Sequence, residues 1–86
     1  MENTIRYQHY EITFRCSDKG IGVVIRNTET SEIWESGPHT CAAQAVNEAD
    51  KGLLWYFEAY EDRNDPERMA LRERMLLVIN YSANGC

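Results

Sequence analysis

His39 and Cys41 are the residues in this chain whose types and spacing come nearest to a reaction centre. A thiol at a helix N-terminus has a lowered pKa, and an imidazole two residues away could take its proton, as in a cysteine nucleophile. No third group that would orient the imidazole can be picked out. A solvated loop histidine beside a small thiol is therefore the simpler expectation. If Cys41 were a nucleophile, iodoacetamide would modify it far faster than Cys86 near neutral pH. His9 and His39 are far apart, and the carboxylates form neither an Asp-x-Asp-x-Asp-Gly nor a His-x-x-x-His pattern, so no metal site is expected. Gly20-x-Gly22 follows a strand-like run and precedes another, which makes it a hairpin turn rather than a phosphate cradle. The reading is of a chain with no catalytic residues and no cofactor.

Charge is the next signal. The net charge is −5, and it is unevenly spread. Residues 1–26 hold four basic and three acidic side chains, and residues 63–86 hold four and three. Residues 27–62 hold Glu29, Glu32, Glu35, Glu48, Asp50, Glu58, Glu61 and Asp62 against Lys51 alone. Phosphate contacts need Lys and Arg, so direct nucleic-acid binding through this segment is disfavoured. Docking on a basic protein surface is favoured. The competing reading is a solvated face that keeps a small protein soluble. Trp55 falls on the same helical stripe as Glu48, Glu58 and Asp62, where a Trp rimmed by carboxylates would be an apolar anchor. Packing under a second helix is its structural alternative. The expected partner-binding set is Glu29, Glu32, Glu35, Glu48, Trp55, Glu58, Glu61 and Asp62.

These residues need elements to position them. Tyr10, Ile12, Phe14 and Cys16 alternate with polar residues, which predicts a half-buried strand over about Tyr7–Cys16. Ser17-Asp18-Lys19-Gly20 is turn chemistry, and a second strand follows over Ile21–Arg26. After the polar turn Asn27–Ser31, Glu32–Ser36 predicts a third strand, with Trp34 in the core. Three strands on tight turns make an antiparallel meander.

Ser36-Gly37-Pro38-His39 breaks the sheet, and Thr40 suits a helix N-cap. The first helix is predicted to run to about Glu61, with Ala42, Val46, Ala49, Leu53, Tyr56 and Tyr60 as its buried spine. A small-residue stripe, Ala45, Gly52 and Ala59, would seat a second helix or form a homodimer seam. Gly52 costs about 1 kcal/mol against Ala inside a helix, so a packing reason is expected, and Gly52→Leu should destabilise the fold or break a dimer. Asp65 as N-cap before Pro66 restarts a helix that runs to about Tyr81. It would bury Leu71, Met75 and Val78, with Leu76 and Ile79 as further candidates, and with residues 76–81 as a final strand in the alternative. Asn84-Gly85 would end it.

Eighty-six residues suit one domain, 1–86, with a modest core. The first residues lack the apolar run of a secretory signal, and Met75–Ile79 is too short to span a membrane. A cytoplasmic address follows. Three cysteines, Cys16, Cys41 and Cys86, with no CxxC spacing argue against a disulfide framework and against zinc. The chain is expected as a monomer or a homodimer.

The order of short strands, a Gly-Pro-x-Thr break and an Ala-rich helix resembles small βββα folds. The AP2-like N-terminal domain of phage integrases and the double-stranded-RNA-binding domain share parts of it. The chain lacks the basic side chains those domains set against nucleic acid. In size, acidity and layout it is also similar to phage-encoded anti-CRISPR proteins, many of which present carboxylates to nucleic-acid-binding surfaces. That resemblance implies a mobile-element inhibitor docking on a nucleic-acid-handling complex. The fold expected is α+β: a three-stranded antiparallel meander against a long helix, with a second C-terminal helix alongside. The function expected is a non-enzymatic interaction module. A sheet-face nucleic-acid binder using Arg6, Arg15, Arg26 and a stacking Tyr7 is the rival, and a structural or oligomerisation domain is a further one.

Overall fold

The alternation of Tyr10, Ile12 and Phe14 with Glu11, Thr13 and Arg15 gives a strand whose two faces differ in polarity, and the same holds for Ile21, Val23 and Ile25. In a computed structural model, which describes residues 2–60 and 65–83, these runs become β2 (Tyr10–Ser17) and β3 (Gly20–Asn27). They are flanked by β1 (Glu2–Tyr7) and β4 (Ile33–His39) in an antiparallel sheet of order β1-β2-β3-β4. The meander thus has four strands where the sequence predicts three. The predicted strand Tyr7–Cys16 is cut at Gln8-His9, where Gln8 takes a positive φ of 53° and the chain reverses in two residues. β1 escapes sequence reading because it is an edge strand with few inward apolar side chains: Ile5, opposite Ile12, and Tyr7, opposite Tyr10.

One face of the sheet carries Ile5, Tyr10, Ile12, Phe14, Ile21, Val23 and Ile25 into a single core. Two helical segments cover it. The first, α1 (Ala42–Lys51), contributes Ala45, Val46 and Ala49. Its N-cap is Cys41, with extended backbone and no side-chain cap bond. The expected cap, Thr40, instead donates its N–H (3.3 Å) and its hydroxyl (3.0 Å) to the Gln44 side-chain oxygen.

The helix does not reach Glu61. At Gly52 it widens into a π-helical turn, Gly52–Tyr56, closed by Phe57 N–H donating to the Gly52 carbonyl at 3.0 Å. Glu58 then takes a φ of 52° and the chain leaves the helix. Gly52 sits under Trp34 of β4: a Cβ there would lie 2.9–3.0 Å from three atoms of the indole. The small-residue stripe therefore seats a tryptophan of the sheet rather than the second helix, and with Ala45 and Gly52 buried it is no dimer seam. The wider turn also rotates the residues beyond it. Tyr56, expected on the buried spine, is 53% exposed, while Leu53 is fully buried.

α2 (Pro66–Ala83) begins as the sequence predicts. The Asp65 carboxylate accepts the Glu67 N–H at 2.9 Å and Pro66 fills the first helical position. Residues 76–81 are helical, not a strand. Leu71, Met75 and Ile79, four residues apart, form the row that meets the sheet. The expected connector residues Asp62, Arg63 and Asn64, and the expected end at Asn84-Gly85, lie outside the described residues.

Cys16 is disulfide-bonded, against the expectation of no disulfide framework, whereas Cys41 is free and exposed. No described helix is long and apolar enough to cross a membrane.

Candidate functional site

The β3–β4 turn is built by Asn27. Its buried side-chain oxygen accepts the N–H groups of Glu29 (2.9 Å) and Thr30 (3.3 Å), and its own N–H donates to the Glu32 carbonyl (2.9 Å). Thr28 clamps the turn to the β1–β2 turn by donating both its N–H (2.8 Å) and its hydroxyl (2.9 Å) to the His9 carbonyl. Glu29 and Glu32 are thus fixed at one corner of the sheet. The end of the π-helical turn arrives at the same corner. Tyr56 donates its hydroxyl to Glu32 Oε2 at 3.2 Å, and its ring stands edge-on to Phe57 at 4.8 Å. Phe57 in turn packs at a tilt of 55° against Tyr10, ring centres 5.2 Å apart, and Glu58 follows on the surface.

The Tyr10 phenol is pushed above its ordinary pKa by burial and then by the charges of Glu29 and Glu32. The Tyr56 phenol is raised chiefly by its hydrogen bond to Glu32. Among the described residues, the ion pairs engage Glu11, Glu48 and Asp50, and no cation lies within pairing distance of Glu29, Glu32 or Glu58. The corner holds two carboxylates, Glu29 and Glu32, that no described cation pairs with, and an exposed tyrosine bonded to one of them.

The rest of the expected set is dispersed. Glu35 projects from the open face of the sheet, opposite Val24. Glu48 is half-buried on α1 and pairs with Lys51 at 3.4 Å. Glu61 and Asp62 lie outside the described residues. Trp55 is 62% exposed, so the second helix does not fold over it. It lines a groove with Asn47, Asp50, Lys51, Arg68 and Arg72. Tyr56, which sequence periodicity put in the core, is the aromatic that stands among the acids.

A second cluster, invisible in the sequence, joins the two helices. Asp50 is 5% exposed and takes hydrogen bonds from Arg68 Nε (2.8 Å) and Nη2, with Arg72 Nη1 at 3.1 Å. Arg72 Nη2 also donates to Asn47 at 2.8 Å. The hydrogen bond to Asp50 is the main reason that the Arg68 guanidinium holds its proton still more tightly than usual. Asp50 therefore leaves the acidic surface and becomes an interior counter-ion. Tyr60 lies beside this cluster with Arg68 5.9 Å from its ring centre; its buried hydroxyl has no hydrogen-bond partner among the described residues, and its pKa is driven up by burial.

The remaining candidates take definite places. His39 Nε2 is hydrogen-bonded to Ser36 Oγ at 2.9 Å, and no hydrogen bond joins His39 to Cys41. Arg6, Arg15 and Arg26 do share the open face of the sheet, but Glu11 lies between Arg6 (3.9 Å) and Arg26 (2.6 Å). Tyr7 is on the other face, donating its hydroxyl to Glu67 at 3.1 Å, so it offers no stacking platform beside those arginines. Among the described residues no three His, Cys, Asp or Glu side chains converge as a metal site would require. No protein-family model, characterised protein or solved structure matches the chain. Fold and geometry together define a small α+β module, a four-stranded sheet covered on one face by two helices.

Proposed function

We propose that the chain is a non-enzymatic protein-interaction module that docks an acidic corner on a basic surface of its partner. The observation that carries this reading is the pair Glu29 and Glu32, unneutralised among the described residues, in one turn, with the exposed Tyr56 bonded to Glu32 and Glu58 two residues further along the chain. Carboxylates of this kind steer a cationic partner into place and fix its orientation. A tyrosine in their midst supplies apolar area at low entropic cost and a hydroxyl that stays hydrogen-bonded. The partner that fits is a protein surface rich in Lys and Arg, such as one that handles nucleic acid. An inhibitor carried by a mobile element, in the manner of anti-CRISPR proteins, is the concrete form of the proposal. Trp55, Glu35 and Glu48 fall outside this contact.

The test is an affinity capture from nuclease-treated lysate with the wild type and a Glu29→Lys, Glu32→Lys, Glu58→Lys variant. Circular dichroism confirms that the variant is folded. A partner held by the wild type, released by salt and lost by the variant is the expected result. Equal capture by both proteins, or no partner at all, sinks the proposal.

The shared sheet face of Arg6, Arg15 and Arg26 keeps one rival in play, a single-stranded nucleic-acid binder. Oligonucleotide affinity that weakens steeply with salt and is lost in an Arg15→Glu variant would favour that reading over the acidic corner.

A further inference from the structure

Trp55 and the cations beside it have no part in the acidic corner. A tryptophan carries a large apolar ring whose burial would stabilise the fold, yet this one is 62% exposed. The groove that it lines lies between α1 with its π-helical turn and the first turns of α2, and has a volume of about 430 Å³. Small-molecule sites run from about 300 to 1,000 Å³. Three cations line the groove: Lys51 from α1, and Arg68 and Arg72 from α2. Among the described residues, the carboxylates paired with them are Asp50, inside the groove, and Glu48, which holds Lys51 from outside it. In a chain of net charge −5, this is a place where cations exceed the carboxylates they meet.

The arginines are also held in position. The buried Asp50 takes hydrogen bonds from Arg68 and has Arg72 Nη1 at 3.1 Å, while Arg72 Nη2 donates to Asn47 at 2.8 Å. A guanidinium carries five N–H groups, so these contacts fix the plane of Arg72 without exhausting it. The Arg72 side chain keeps 30% of its surface open, and that of Lys51 keeps 62%. An oxyanion entering the groove would meet donors whose orientation is already settled, which lowers the cost of binding.

We propose that this groove binds a nucleoside phosphate, with the phosphate held by Arg72 and Lys51 and the base laid on the indole of Trp55. Charge complementarity selects an anion. The exposed indole selects one that carries a planar ring beside its charge, since bases stack on aromatic side chains. A phosphate with three acceptor oxygens suits a guanidinium and an ammonium together. A glutamate side chain of a peptide would satisfy the cations and leave the indole in water. A free mononucleotide and a nucleotide of a single strand share this chemistry. The groove contains none of Glu29, Glu32, Tyr56 and Glu58, so this proposal and the acidic corner fail independently.

The test is a titration of the isotope-labelled full chain with adenosine monophosphate at low salt, followed by nuclear magnetic resonance. Adenosine, inorganic phosphate and a short glutamate peptide are the comparison probes. The nucleotide should bind with a Kd below about 1 mM, and each comparison probe about tenfold more weakly or worse. The largest shifts should fall on the Trp55 indole N–H and the Arg72 guanidinium. Trp55→Ala should weaken binding about fivefold or more, the worth of one base–aromatic stack, and Lys51→Glu should weaken it likewise. Both positions are exposed, so the fold survives, and circular dichroism verifies it. An oligoadenylate of about four nucleotides separates the two sources: tighter, salt-sensitive binding marks a strand, and affinity equal to the mononucleotide marks the free ligand. No binding of the mononucleotide at about 1 mM overturns the proposal. So does a glutamate peptide that binds as tightly, an affinity unchanged by Trp55→Ala, or shifts confined to Arg6, Arg15 and Arg26 on the sheet face.

Discussion

Replacing Gly52 by Ala is a substitution whose sign depends on one contact. Gly52 has helical backbone angles, φ −60° and ψ −45°, so alanine is conformationally welcome there. In an open helix the change would stabilise by about 1 kcal/mol. Here the new methyl would sit 2.9–3.0 Å from Trp34 Cε3, Cδ2 and Cζ3, closer than carbon atoms pack. These atoms belong to a rigid ring wedged between β4 and the core, not to the free end of a flexible chain, so the ring or the π-helical turn must shift. Overpacking of this kind costs about 1–3 kcal/mol. Taking the upper part of that range, the net effect is a loss of about 1–2 kcal/mol. With an unfolding entropy of about 2 cal/mol/K per residue, this lowers the melting temperature by roughly 5–10 °C. The reasoning is checked in a Trp34→Leu background, measured by chemical denaturation at low temperature. There the obstructing ring is gone, and Gly52→Ala should become stabilising by about 1 kcal/mol. A Gly52→Ala variant more stable than wild type, or an effect identical in both backgrounds, would refute the contact as the reason for the glycine.

Three further outcomes are expected. Asp50→Asn keeps the shape but strands Arg68 and Arg72 without their counter-ion; because both arginines retain some access to water, the loss should be about 2–3 kcal/mol by denaturant titration, and a loss under about 0.5 kcal/mol would show the cluster to be incidental. Tyr60→Phe removes a buried hydroxyl that has no partner among the described residues, so stability should hold or rise by up to about 1 kcal/mol, whereas a clear loss would reveal a bound water or another partner. Tyr7 is raised to about 12 by burial and then by its hydrogen bond to Glu67, so the folded state binds this proton more tightly than the unfolded chain. Its contribution to stability should be intact below the ordinary tyrosine pKa of about 10 and be lost as pH rises toward the folded value; Glu67→Gln should lower the Tyr7 pKa in a spectrophotometric titration, and an unchanged value would remove Glu67 from the account.

What the sequence disclosed follows from where its signals are local. Tyr10, Ile12 and Phe14 show their period because β2 is an inner strand of the sheet with one face in the core. Asp65-Pro66 shows a helix start because capping is settled within three residues. β1 was missed because an edge strand needs little apolar surface, and its Gln8-His9 turn carries no Asn-Gly signature. The premature end of α1 escapes the 3.6-residue period because Gly52, where it falls, meets Trp34, eighteen positions away in sequence and in contact only once the sheet has formed.

The same non-local contact explains the candidate site. A straight α-helix through Gly52 would carry Tyr56 on its buried spine and string Trp55, Glu58 and Asp62 along one outer stripe, which is the arrangement the 3.6-residue period predicts. Trp34 pressing on Gly52 goes with a π-helical turn instead, and the register beyond it changes. Tyr56 then swings outward to meet Glu32 of the β3–β4 turn, Phe57 folds in onto Tyr10, and Glu58 leaves the helix at positive φ. Trp55 remains exposed, in a groove lined by Asp50, Lys51, Arg68 and Arg72. The acidity of residues 27–62 was legible, but its division into a buried counter-ion at Asp50, a paired Glu48 and an open corner around Tyr56 depends on how one tryptophan meets one glycine.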